Sequence, residues 1–60
     1  MTLETRIELH LRRAGISAAR LGREAINDPR FVSDLRKGRW VGEKTALRVH
    51  DWLDRQGAER

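Results

Sequence analysis

The chain has no cysteine and no tyrosine, and it carries one proline among its 60 residues. Without cysteine there is no disulfide to staple so short a domain, and no Cys/His cluster to hold a structural zinc. Two tryptophans and one phenylalanine are its only aromatic residues. No apolar run approaches the ~18 residues that span a bilayer, so no membrane segment is expected. The opening MTLETRIELHLRR is charged throughout and does not read as a signal peptide. Strand signals are also scarce, with no alternating run and no Asn-Gly turn. No Gly-rich phosphate loop appears, and neither Ser17 nor Ser33 has triad partners at a recognisable spacing. His10 and His50 lie on separate helical segments without a ligand set, so neither metal nor cofactor is expected. A chain this small offers little concave volume, and an enzyme is not expected.

What the chain does have is charge. Lys and Arg number 13 against 9 Asp and Glu, giving a net +4 and a pI near 11.1. Of that +4, residues 28–48 contribute +3. A basic balance on a small domain favours an anionic partner. Sixty residues make one domain, 1–60, whose core is marginal at this length. Compact helix packing or a partner chain must compensate.

Helical spacing occurs four times. A first helix is expected from about Leu3 to Ala14, capped by Thr2 and ended by Gly15, with Leu3, Ile7, Leu11 and Ala14 on its apolar face. A second, from about Ala18 to Ala25 after Ser17, repeats Ala18, Leu21, Gly22 and Ala25. Its small residues let another helix approach closely. In the third, over about 29–37, Asp28 reads as the N-cap, Pro29 as the first helical residue and Gly38 as the left-handed stop. Phe31, Val32 and Leu35 then share one side, while Arg30, Ser33, Asp34 and Lys37 share the other. A fourth runs from about Glu43 to Gln56, with Ala46, Val49, Trp52 and Leu53 as its stripe and Leu47 well off it. Tryptophans so placed read as core or interface residues. Trp40 is expected to close the bottom of the core after the Gly38 turn, and Trp40, Leu47 and Trp52 form the candidate anchor surface for a partner.

The polar face of the third helix has the long donors and short polar groups that a major groove admits. Arg30 is placed to reach guanine, with Ser33 and Asp34 at other base edges and Lys37 beside them. Arg36, Arg39 and Lys44 are placed near phosphates.

The stretch GISAARLGREAINDPRFVSDLRKGRWVGEKTALRVHDWL, residues 15 to 53, resembles helix-turn-helix DNA-binding proteins of the phage-repressor and Cro type. It is most similar to the small alphaproteobacterial and phage regulators with a DP.FV.DLR.GR core. The resemblance implies a compact all-α, four-helix, lambda-repressor-like fold. It makes S..RLGREA the helix that crosses the DNA backbone, with Ser17, Arg20 and Asn27 as phosphate contacts, and DPRFVSDLRKG the recognition helix. Gly22 falls where the family keeps a small residue between the two. The sequence departs from the pattern at Ile26, where glycine followed by an apolar residue is frequent. Here Ile26-Asn27 reverses that order. The implied function is sequence-specific binding of double-stranded DNA in transcription regulation, more as repressor than activator. The implied form is a homodimer on a two-fold symmetric site, in the cytoplasm on the nucleoid, with RNA polymerase as a further contact. The competing readings are a protein–protein module docking on polymerase or a toxin, and a sequence-independent packaging protein.

Overall fold

The computed structural model describes residues 1–57; the last three residues of the expected domain lie outside them. These residues form four α-helices with no strand among them: α1 Leu3–Ala14, α2 Ala18–Ile26, α3 Phe31–Arg36 and α4 Glu43–Arg55. The bounds of α1 follow from its caps. Thr2 Oγ1 accepts from the Thr5 N–H at 3.2 Å, and Gly15 takes the left-handed conformation and donates to Leu11 O. Ser17 Oγ caps α2 in the same way, accepting from Arg20 N–H at 3.1 Å. This helix runs one residue beyond expectation, to Ile26.

Seven apolar side chains, at least one from each helix, make the core: Leu3, Ile7, Leu21, Phe31, Val32, Val49 and Leu53. Leu11, Ala18, Ala25, Leu35, Ala46 and Trp52 pack around them half-buried. Ala14, expected on the apolar face of α1, is exposed, as it lies at the helix end beside Gly15. α2 packs chiefly on α3, while α4 lies against both α1 and α2.

Between α2 and α3 the chain turns in four residues. Asn27 supplies the left-handed residue, at φ 57°, which asparagine tolerates better than most side chains. Asp28 N–H then donates to Gly22 O at 3.0 Å. That bond draws the turn onto Gly22 so tightly that a Cβ there would collide with the Asp28 carbonyl and press on Phe31 Cβ. Glycine at 22 is therefore a steric requirement of this corner.

The start of α3 corrects the sequence reading. Asp28 is not the N-cap and Pro29 is not the first helical residue. Asp28 O accepts from Phe31 N–H at 3.1 Å, and Asp28 Oδ1 accepts from Arg30 N–H at 3.0 Å. These bonds close a turn over residues 28–31 first, and the helix begins only at Phe31, with Arg30 as its cap. Trp40 is the second correction. It is 85% exposed and does not close the core. Its ring instead lies along the surface over Gly42, close enough to touch a Cβ there at 3.6 Å.

Candidate nucleic-acid interface

The outward face of α3 and the residues flanking it carry most of the candidate side chains. Arg30, Ser33 and Lys37 are exposed, and Asp34 is partly so. Phe31 and Val32, on the opposite side, are fully buried and hold the orientation of the helix. Leu35, expected in the core, is half-buried and packs against it. Arg30, Ser33 and Lys37 are spaced i, i+3 and i+7, which sets them on one stripe.

The cations around this stripe divide into two groups. Among the described residues Arg30, Lys37 and Lys44 have no ion pair. Lys44 stands exposed in the first turn of α4. The three other basic candidates are held by carboxylates. Arg20 Nε donates to Glu24 Oε2 at 2.6 Å, one turn along α2. Arg36 makes a forked pair with Glu8 of α1, through Nε and Nη2, both at 2.8 Å. Arg39 Nη1 donates to Asp28 Oδ2 at 2.9 Å and lies 3.5 Å from Asp34 Oδ2.

These contacts shift the acids. The Arg36 guanidinium holds the Glu8 carboxyl below its ordinary value. Asp28 is lowered by its bond from Arg39 first, and then by that from the Arg30 N–H. Ser17 has its oxygen engaged as the α2 cap, leaving its hydroxyl proton to donate. Asn27 is exposed at the turn.

The anchor residues separate. Trp40 and Leu47 are exposed, Leu47 to 59%. Trp52 is half-buried and makes a T-shaped contact with His10, with ring centroids 5.3 Å apart and planes at 90°. His10 is itself buried, and burial lowers its pKa.

A polar seam between α1 and α4 escaped the sequence reading. Arg6 is buried and donates from Nη2 to Asp54 Oδ1 and from Nη1 to His50 Nδ1, each at 2.7 Å. Because a guanidinium only donates, His50 Nδ1 is the acceptor. The signal was present in the spacing: Leu3, Arg6, Ile7 and His10 fall at core intervals of α1. Among the described residues no group of three or more His, Cys, Asp or Glu is placed to hold a metal ion. Nor is any helix among the described residues long and apolar enough to cross a membrane. No protein-family model matches the chain, and no curated protein or solved structure matches it significantly.

Proposed function

We propose that this protein is a sequence-specific, double-stranded-DNA-binding regulator of transcription, acting as a repressor by occupancy. In this reading α2 and α3 are a helix-turn-helix within a lambda-repressor-like arrangement, and α3 enters the major groove. The observation that carries it is the α2–α3 corner. Gly22 admits the Asp28 backbone at a distance that no side chain tolerates, and the helix that emerges buries Phe31 and Val32 while presenting Arg30, Ser33 and Lys37 outward. A tight corner followed by a short helix with an exposed, basic outer stripe suits groove entry.

Arg30 reads a base edge, Ser33 and Asp34 lie beside it, and Lys37 and Lys44 approach phosphates. A homodimer on a two-fold site doubles these few contacts, with half-sites about one helical turn (~34 Å) apart. Exposed Leu47 is the candidate contact between the subunits. The deciding experiment is selection of duplexes from a random pool, followed by sequencing. A two-fold symmetric preferred site is expected, and Arg30→Ala costs ~1–3 kcal/mol while relaxing preference at one base pair. Selection of no duplex at low salt would refute DNA binding.

The exposure of Trp40 favours a second reading, a docking module for another protein. On that reading Trp40→Ala abolishes partner capture while duplex binding is absent from the wild type.

A further inference from the structure

Resting on the DNA-binding reading, we infer that Arg39 is a positioning residue for α3 and not a phosphate ligand: it straps the exit of the helix back to its entry, and so fixes Arg30. The helix needs such a device. α3 has six residues and no side-chain hydrogen bond at its N-cap. Helices this short do not persist on their own propensity.

Arg39 leaves α3 with its backbone anchored, its N–H donating to Asp34 O at 3.0 Å. Its side chain then runs back across the helix. The guanidinium carbon lies 5.6 Å from the centroid of the buried Phe31 ring, while Nη1 lies 3.5 Å from Asp34 Oδ2 and donates to Asp28 Oδ2 at 2.9 Å. Asp28 is the residue on which the entry turn is built. Its N–H is on Gly22 O, its O receives the Phe31 N–H, and its Oδ1 receives the Arg30 N–H. One guanidinium thus joins the residue that starts the turn to the one that follows the helix. Asp28 and Asp34 both place a carboxylate oxygen on Arg39 Nη1. A cation already bridging two carboxylates has little free charge for a third anion.

Two variants isolate the strap. Asp28→Asn keeps an oxygen for the Arg30 N–H and removes only the charge that holds Arg39. Arg39→Gln removes the cation. Hydrogen exchange of the Arg30 and Phe31 amides in the free protein is the first readout. Each variant should speed both by roughly two- to fivefold, the range an exposed ion pair supports. The double variant should be no faster than either single one. The second readout is the salt dependence of affinity for the selected duplex. A lost phosphate contact lowers its log–log slope by about 0.9. A lost strap weakens binding and leaves the slope unchanged.

Unchanged amide exchange in both variants, or a slope reduced by about one contact in Arg39→Gln, would overturn the inference. If the wild type binds no duplex, the DNA-binding reading fails by that result alone. Exchange of the two amides then still decides whether Arg39 fixes the turn.

Discussion

The α1–α4 seam and the α2–α3 corner are held together by different physics. Along the seam, side chains do the joining: Arg6 bridges to His50 and Asp54, and the His10 and Trp52 rings meet at right angles. At the corner the backbone itself is the contact, with Asp28 seated on Gly22. Side chains have rotamers and can adjust to a substitution. Two backbones in van der Waals contact cannot, short of moving a whole helix. The seam should therefore yield gradually to mutation, and the corner abruptly.

Phe31→Ala should show the corner's dependence most strongly. Phe31 is fully buried between Gly22 and Arg39. Its truncation should cost ~3–5 kcal/mol, enough to unfold most of so small a domain. Loss of helical circular dichroism at 25 °C checks this; a cooperative melt at the wild-type temperature would put the weight of the core elsewhere. Next in size is Gly22→Ala. Adding one methyl forces the Asp28 carbonyl aside and should cost ~1–3 kcal/mol, read as a lowered denaturation midpoint in urea. On an ordinary helix position the same change would stabilise.

Arg6→Ala tests the seam. It strands the acceptor on His50 but leaves Asp54 to water, since that carboxylate is 66% exposed. The expected loss is ~1–2 kcal/mol, with the corner's amide protection retained. A loss equal to that of Phe31→Ala would erase the distinction between the two regions.

Acid should separate them by pH with the smallest effect. Burial lowers the pKa of His10, so below the ordinary imidazole value the unfolded chain takes up a proton that the folded one resists. Stability is complete above that value and declines as the pH falls towards the lowered one. Glu8 and Asp28, lowered by Arg36 and Arg39, contribute above the ordinary carboxylate range. Their share is lost as the pH drops through their depressed values. The melting temperature should fall in two stages, and His10→Phe should diminish the first while sparing the second. A single stage unaffected by His10→Phe would refute the assignment.

The helices whose ends are set by local chemistry were legible in the sequence. Thr2 and Gly15 bound α1 where they were expected to, and Ser17 caps α2. The start of α3 was not, because Asp-Pro marks a turn as readily as a helix cap. Which one forms depends on Gly22, six residues away, and its bond to the Asp28 N–H. Trp40 was misread for a related reason. Apolar character alone does not say which way a loop turns its side chain, and the loop after Gly38 lays Trp40 over Gly42 on the surface. Of the candidate site, the outward stripe of α3 could be read from periodicity alone. The division of its flanking arginines could not, since Glu8, Asp28 and Asp34 reach them through tertiary contacts.

The shortness of α3 bears on how much information one molecule could extract from a genome. Six residues at 1.5 Å each give roughly 9 Å of helix, against 3.4 Å per base pair. A helix of that length scans about three consecutive steps, and a three-letter word recurs by chance every ~64 base pairs. Joining two such words at a fixed distance makes a six-letter word, which recurs only every ~4,000. On the DNA-binding reading, the geometry of pairing would then supply as many bits as the chemistry of the reading stripe.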